Sequence, residues 1–204
     1  AAPAALPEDD PAYSATPVHT ANLVFRGNRV ESLNGVSYHT FRIPALVRTN
    51  AGTLLAFAEG RANSNRDHGN INLLYKRSTN NGGSWSSLKE AVGAGMGTWG
   101  NPTPVVDRNT GTIWLFLSWN PANKSLDGSP NPDTGEPTDR ITQWEDRKVY
   151  VMKSTNDGQS FTGMNGESSP TDMTAALKPR TRANGAVWAW DAMGPGNGIQ
   201  LRNG

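Results

Sequence analysis

An eight-residue pattern that occurs twice constrains the fold of this chain more than any other feature. Residues 76 to 86 read KRSTNNGGSWS and residues 152 to 162 read MKSTNDGQSFT, so both contain Ser-Thr-Asn-x-Gly-x-Ser-aromatic. Each copy follows a run suited to a strand, and its glycine can take the positive φ of a hairpin tip. Chance is one explanation, because Asn-Gly and Asp-Gly turns are common in β proteins. The agreement favours repeated sheet units, and sheets repeated around an axis form a propeller.

The apolar segments of the chain are short and predict strands. They are rich in β-branched and aromatic residues and bounded by Gly, Asn and Asp, whereas helical periodicity is almost absent. We therefore predict an all-β fold. Between the two patterns, residues 120 to 147 are polar and turn-rich, which indicates either a surface loop that lines a site or a disordered excursion with no role. The predicted strands are residues 21 to 25, 42 to 48, 53 to 58, 70 to 77, 103 to 107, 112 to 118, 148 to 154 and 185 to 190.

The composition argues against several functions. Lys plus Arg number 19 and Asp plus Glu 18, and no basic run could follow a phosphate backbone, so nucleic acid is not an expected partner. The chain has no cysteine, which excludes disulfides and thiol-based metal or redox sites. The histidines are scattered, so neither a metal site nor a cofactor is predicted. No apolar stretch approaches the roughly 18 residues that suggest a membrane span.

The opening residues 1 to 20 are small and Pro-rich. They are typical of the processed end of a secreted protein, and a plain disordered terminus fits them equally well. We predict a flexible mature N-terminus here, a β domain over residues 21 to 204, and secretion. Trp188 and Trp190 alternate on the last predicted strand, where we expect them in the core or at its rim and not as a platform for a sugar.

The segment FRIPALV, residues 41 to 47, suits a buried strand but holds Arg42 among apolar neighbours and breaks at Pro44. A guanidinium is a rigid, permanently charged fork that pairs with a carboxylate through two hydrogen bonds. Proline removes a backbone donor, which a β-bulge or a strand edge tolerates. Arg42 is therefore either half of a salt bridge in the core or a fixed receptor for an anion.

In order along the chain, these segments resemble the exo-sialidases (neuraminidases) of bacteria and animals. FRIPALV is followed by LLAFAEGR at residues 54 to 61, the two hairpin patterns, GNPTPVVDRNTGTIWLF at residues 100 to 116 and GPGNGIQL at residues 194 to 201. The resemblance covers nearly everything after about residue 20 and points to the bacterial members. It implies a six-bladed β-propeller, of which this chain would supply about the first three blades as four-stranded antiparallel sheets.

The resemblance also implies roles for four residues. Arg42 would belong to a triad of arginines that grips the carboxylate of sialic acid, and Asp67 would be the catalytic acid/base. Arg61 would lie near the C4 substituent of the sugar, and Asn101 would help to bind the C4 hydroxyl or the N-acetyl arm. Without the resemblance, Arg61 would be a solvated surface residue and Asp67 a loop residue that caps a turn.

The chain departs from the family pattern in two respects. Asn80 and Asn156 stand where the hairpin patterns usually carry Asp, which would affect the stability of the turns and not the chemistry. No convincing Tyr and Glu pair is present, because in family order the nucleophilic Tyr, its Glu and the other two arginines follow GPGNGIQL. The resemblance therefore implies the N-terminal part of the catalytic propeller, accompanied by a complementary C-terminal fragment.

The function implied is an exo-α-sialidase that hydrolyses terminal sialic acids from glycoconjugates with retention. The anomeric carbon of a sialic acid carries a carboxylate that would repel an anionic nucleophile, and sialidases use a Tyr instead. Asp67 would act first as general acid and then as general base. The alternatives are a non-catalytic, lectin-like propeller that binds sialic acid, and a propeller glycosidase or scaffold that shares only the hairpin turns.

Overall fold

The computed structural model describes residues 23 to 93, 95 and 97 to 202, and over these residues the chain is all-β, as predicted. The only helical elements there are a four-residue helix, α1 (Thr174–Leu177), and a 3-10 turn at Trp144–Asp146. No helix in the described part is long and apolar enough to cross a membrane. The strands are β1 (Ser32–Leu33), β2 (Val36–Ser37), β3 (Thr40–Arg48), β4 (Leu54–Arg61), β5 (Ile71–Ser78), β6 (Lys89–Val92), β7 (Thr98–Val106), β8 (Ile113–Asn120), β9 (Lys124–Ser125), β10 (Asp139–Arg140), β11 (Lys148–Ser154) and β12 (Thr171–Asp172).

Eight of the strands form a sheet that consists of two antiparallel units. The first unit contains β3, β4, β5 and β6, each paired with its neighbour in chain order. The second unit contains β7, β8, β11 and β12 in the same arrangement. The two units are joined by one parallel pair, Ile71 with Thr98, at the beginning of β5 and β7.

The main hydrophobic core is shared by the two units. Leu55 and Phe57 of β4 belong to it, and so does Tyr75 of β5. On β8 every second residue from Ile113 to Leu117 is buried, because successive side chains of a strand point to opposite faces. Phe161 of the second hairpin pattern packs edge-on against Phe57 and Tyr75, with ring centroids 5.7 and 5.2 Å away. The second unit is therefore docked onto the first.

The two sequence patterns fold into hairpin tips with the same hydrogen bonds. In the first tip, residues 78 to 85, Ser78 Oγ donates to Asn80 Oδ1 at 2.9 Å, and the backbone N–H of Ser84 donates to the same oxygen at 2.9 Å. Asn80 thus provides the acceptor that the usual Asp would provide. The second tip, residues 154 to 161, repeats these bonds at Ser154, Asn156 and Ser160.

Six of the eight predicted strands overlap observed ones, and the prediction at residues 148 to 154 coincides with β11. The strand predicted at residues 185 to 190 is wrong. Only Val187 there makes a β-bridge, with Thr181, and Trp190 stacks on Arg147. The strand predicted at residues 21 to 25 is also absent from residues 23 to 25, and residues 21 and 22 lie outside the described part of the chain.

The long connection predicted at residues 120 to 147 lies between β8 and β11 and is mostly irregular. Its regular structure is the two-residue parallel pairing of β9 with β10 and the 3-10 turn. The connection lies against the loop that follows β4, since Asp133 accepts from Asn63 Nδ2 at 2.6 Å and from the backbone N–H of Asn70 at 2.5 Å. It is therefore an ordered wall and not an excursion without contacts.

Candidate functional site

A β-bulge in β3 explains why FRIPALV contains an arginine and a proline. Arg42 pairs with Glu59 of β4, and the register then shifts before pairing resumes at Ala45. Within the bulge Ile43 has φ of 56°, a left-handed conformation that β-branched residues rarely adopt. Pro44 follows where the ladder needs no donor. The bulge fixes the backbone beside Arg42 and turns this residue toward a cavity.

Arg42 and Arg61 converge on the carboxylate of Asp67. Arg42 Nη1 and Arg61 Nη2 each lie 2.8 Å from Asp67 Oδ1. The two arginines also donate to the carbonyl oxygen of Asn65, at 3.2 and 2.6 Å. The structure therefore brings together three of the four residues that the sequence assigned to the site.

The exposure of these three side chains differs in a way that matters for binding. Arg61 is 2% exposed, so the alternative of a solvated surface arginine is wrong. Arg42 and Asp67 are 44% and 68% exposed, so their ion pair is not the core salt bridge that the sequence left open. An exposed pair exchanges readily with a dissolved ion. An anionic ligand could therefore replace Asp67 on the guanidinium of Arg42.

Glu59 is a buried carboxylate that the sequence analysis missed. Its Oε2 accepts from Arg61 Nε at 3.1 Å and Nη2 at 2.5 Å. Its Oε1 accepts from the backbone N–H of Asn101 in β7 at 2.9 Å. Glu59 therefore fixes Arg61 and connects β7 of the second unit to β4 of the first. Charged residues two apart in an otherwise apolar strand share one face, and this signal could have identified the pair.

Asn101 lies at the cavity, but its side chain is already bonded to protein. Its Nδ2 donates to the carbonyl oxygen of Gly194 at 2.9 Å, and its Oδ1 accepts from Arg147 Nη2. Its φ is 57°, a conformation that asparagine tolerates better than most residues. The contact with the sugar suggested by the resemblance stays a prediction.

Arg147 is a buried cation at the cavity that sequence reasoning did not find. Its Nε donates to the carbonyl oxygen of Asp191 at 2.6 Å, and its guanidinium stacks on the ring of Trp190 at 4.1 Å. Burial lowers the pKa of Arg147 to about 10, although Asp191, Glu59 and Asp67 oppose the shift. It keeps its charge at neutral pH. No local sequence pattern identifies Arg147 as a site residue, because its position depends on the irregular segments before β11 and after α1.

Lys178 holds the two segments that carry Arg147 and Trp190. Its buried ammonium donates to the carbonyl oxygens of Arg147 at 2.5 Å and Ala189 at 2.8 Å, and lies 3.5 Å from Asp191 Oδ1. Burial lowers the pKa of Lys178, and the nearby Asp191 carboxylate partly offsets this. One ammonium thus fixes the wall of the cavity opposite Arg42.

Two adjoining cavities meet at Asp67. The first, of about 180 Å³, is lined by charged residues from both units, namely Arg42, Arg61, Arg147, Glu59 and Asp67, and also by Trp190 and Leu126. The second, of about 170 Å³, is lined by Arg66, Asp67, His68, Leu126, Asp127 and Ser129. Three guanidinium groups against two carboxylates give the first cavity a net positive charge, which suits an anionic ligand.

The fold and this cavity define an all-β protein with a positively charged cleft and an accessible carboxylate. No family model matches the chain. An exo-alpha-sialidase of Aspergillus fumigatus is 48% identical over 208 residues, covering 96% of this chain and 48% of the relative. A sialidase of Bacteroides fragilis is 29% identical over 175 residues, covering 80% of this chain and 29% of the relative.

Among solved structures, the Hadza microbial sialidase Hz136 matches with a TM-score of 0.59 and 25% sequence identity, covering 82% of this chain and 31% of that one. The chain is thus sialidase-like, as the sequence indicated, and its structural neighbours are β-propellers. It spans about half the length of the curated relatives with 48% identity. The bacterial source stays a prediction, and both of those relatives are fungal.

Proposed function

We propose that this chain carries part of the active site of an exo-α-sialidase, which releases terminal sialic acids from glycoconjugates with retention of configuration. The observation that carries the proposal is the place of Asp67, between a positively charged cavity and a second cavity. A glycosidase acid must stand between the sugar that reacts and the group that leaves. The relatives named exo-alpha-sialidase support the choice of sugar.

In the proposed binding step, the carboxylate of sialic acid takes the place of Asp67 on Arg42. Asp67 occupies Nη1 of Arg42, and among the described residues Nη2 has no hydrogen-bond partner, so once Asp67 leaves, Nη1 and Nη2 can offer two parallel donors. Arg61 does not move, because Glu59 holds it. Release from Arg42 leaves Asp67 paired with Arg61 alone, and Asp67 must leave that contact as well to face the glycosidic oxygen.

In the proposed chemical steps, Asp67 in its acid form gives its proton to the leaving glycosidic oxygen while the oxygen of a Tyr bonds to the anomeric carbon and passes its own proton to a Glu, which returns it when the Tyr leaves. The aglycone leaves through the second cavity. Asp67, now a carboxylate, takes a proton from the water that displaces the Tyr oxygen. The Tyr, the Glu that activates it and two further arginines are proposed to lie in another part of the protein.

We further propose that the two units are blades of a six-bladed propeller, completed by a complementary C-terminal part of the same protein. The support is the half-length match to the relatives and the exposed apolar side chains of Leu46, Ile199 and Leu201, since large apolar patches mark interfaces. Size-exclusion chromatography with intact mass would test this. A single monodisperse species with the mass of this chain alone would contradict it.

The test of the activity is hydrolysis of a fluorogenic sialoside by the complete protein and by Asp67→Asn. We expect kcat to fall by about 10² to 10⁴, the usual contribution of a general acid/base. Asp139→Asn is the matched control, since Asp139 is exposed and lines neither cavity, and its kcat should stay within about twofold.

Full activity in Asp67→Asn would show that the acid lies elsewhere. Binding of the sialoside without hydrolysis by the unaltered protein would favour the lectin-like alternative. Secretion stays a prediction, which activity in culture supernatant against cell lysate would test.

A further inference from the structure

A cavity of about 200 Å³ on the outer part of the first unit shares no lining residue with the two cavities at Asp67. It lies between the hairpin of β1 and β2, the start of β5, and β6. We call it the Glu90 cavity; its lining residues are Asn34, Val36, Asn70, Asn72, Glu90 and Gly95. None of these described residues is a cation, so the cavity does not suit an anion.

Two buried amide oxygens in this cavity have no donor among the described residues. They are Oδ1 of Asn70 and Oδ1 of Asn72. Asn72 is 3% exposed, and its Nδ2 donates to the hydroxyl of Tyr38 at 2.9 Å. Asn70 comes directly before β5, Asn72 is the second residue of that strand, and both line the cavity. A buried oxygen without a donor is destabilising, so each calls for a partner.

Glu90 brings a carboxylate to the same place. It forms no ion pair with a described residue, and it is hydrogen-bonded to the side chain of Asn34. Burial raises its pKa, and the hydrogen bond with Asn34 offsets only part of this. Glu90 is partly buried, and a carboxylate withdrawn from water favours a cation or a metal ion beside it.

Gly93 shows that the side chains of Glu90 and Asn72 border a common space. A Cβ on Gly93 would lie 2.4 Å from Glu90 Oε2 and 2.8 Å from Asn72 Cγ. The carboxylate and the amide therefore approach one point closely, and only glycine leaves that point open. The described part of the chain contains no cluster of three or more His, Cys, Asp or Glu that could hold a metal ion. Here, however, two of the three oxygen donors are the amides of Asn70 and Asn72.

We propose that the Glu90 cavity is a calcium site, with Glu90, Asn70 and Asn72 as oxygen ligands. Ca²⁺ accepts six to eight oxygens in irregular geometry, including amide carbonyls and water, whereas Mg²⁺ requires near-ideal octahedral geometry. A single carboxylate makes a weak site, so we expect a Kd of about 10⁻⁴ to 10⁻³ M, as in extracellular modules. A bound ion would tie the start of β5, directly after the loop of Asp67, to β6.

The test is isothermal titration calorimetry of the complete, chelator-treated protein with calcium chloride, combined with thermal melting. We expect one site per molecule and a rise in Tm when calcium exceeds the Kd about tenfold. Magnesium chloride should bind at least about tenfold more weakly. Glu90→Gln, which keeps the shape and removes the charge, should weaken calcium binding at least about tenfold.

Gly93→Ala is the second variant, because its methyl group would occupy the space between the ligands, and it should also lose calcium binding. Glu136→Gln is the matched control, since it removes one exposed carboxylate elsewhere and should bind calcium normally. Tm without calcium checks that each variant is folded. No binding by the unaltered protein, equal binding of calcium and magnesium, or unchanged binding in folded Glu90→Gln would overturn the proposal and leave water as the partner of these oxygens.

Discussion

β3 and β7, the first strands of the two units, contain the same backbone irregularity, but the residues beside it have different roles. The register shifts in the middle of both β3 and β7, at Ile43 with φ of 56° and at Asn101 with φ of 57°, and a proline follows each. Before the bulge the first unit has Arg42, which faces the cavity, and the second has Gly100, whose missing side chain gives room to the carboxylate of Glu59. The same backbone bulge thus occurs in both units, and the residue before it, Arg42 in one and Gly100 in the other, determines what each bulge does.

Gly100→Ala should break the second bulge and produce the largest effect. Its Cβ would lie 2.2 Å from Glu59 Oε1, so the carboxylate must move away from Arg61 and from the backbone of Asn101. We expect the free energy of unfolding to fall by about 3 kcal/mol, since overpacking and a broken buried ion pair act together. Urea denaturation measures this. A loss below about 0.5 kcal/mol would show that Glu59 has another place to go.

Arg42→Ala, at the equivalent position of β3, should have the opposite profile. Its ion pair is exposed, so stability should change by less than about 0.5 kcal/mol. If Arg42 grips the carboxylate of the substrate, kcat/KM for a sialoside should fall about a hundredfold, or about 2.7 kcal/mol. Arg42→Lys should recover only part of this, because an ammonium lacks the two-pronged geometry. Equal activity in Lys and Arg forms would argue for a simple point charge.

The two hairpin tips also differ in how they contact the other unit. In the described part of the chain, the turn residue of the second tip, Asp157, is bonded to the first unit, whereas Asn81 of the first tip has no such bond to the second. Asp157 accepts from Thr49 Oγ1 at 2.5 Å, Thr53 Oγ1 at 2.6 Å and Arg77 Nη2 at 3.0 Å. Asp157→Asn should lower the free energy of unfolding by about 2 kcal/mol, as hydrogen bonds to a charged group are lost. At the equivalent position of the first tip, Asn81→Asp should change it by less than about 0.5 kcal/mol.

The effect of Asp157→Asn should also depend on pH. Burial alone would raise the pKa of Asp157, but hydrogen bonds from Thr49 and Thr53 and the charge of Arg77 outweigh it, so the pKa is lowered. A lowered pKa in the folded state stabilises the protein above the unfolded value of about 3.9, and this contribution is lost as pH falls below it. The difference between Asp157→Asn and the unaltered protein should therefore shrink from pH 7 to pH 3, and a constant difference would contradict the assignment.

Sequence reasoning predicted the repeated tips and six of the strands from short runs of residues, and the resemblance implied Arg42, Arg61 and Asp67, which converge in the structure. Pro44 indicated a bulge or a strand edge, because proline lacks the donor that a regular ladder needs, and the structure has the bulge. Sequence reasoning could not predict Arg147, which reaches the cavity only through the paths of two irregular segments. The prediction of a strand at residues 185 to 190 was wrong for a similar reason, since the alternation of apolar side chains gives no information on whether a partner strand is available.

The smallest expected effect tests whether backbone conformation alone makes the bulge of β3 less stable than the bulge of β7. Ile43→Asn places in β3 the residue type that β7 has at the same point. A left-handed conformation costs an L-residue about 1 to 2 kcal/mol, and asparagine partly avoids this. The lost apolar contact of the half-buried Ile43 offsets part of the gain, so we expect the free energy of unfolding to rise by about 0.5 kcal/mol. Ile43→Val, which keeps the branched Cβ, is the control and should not raise it. Stabilisation by Val and not by Asn would show that packing, and not backbone strain, limits β3 at this position.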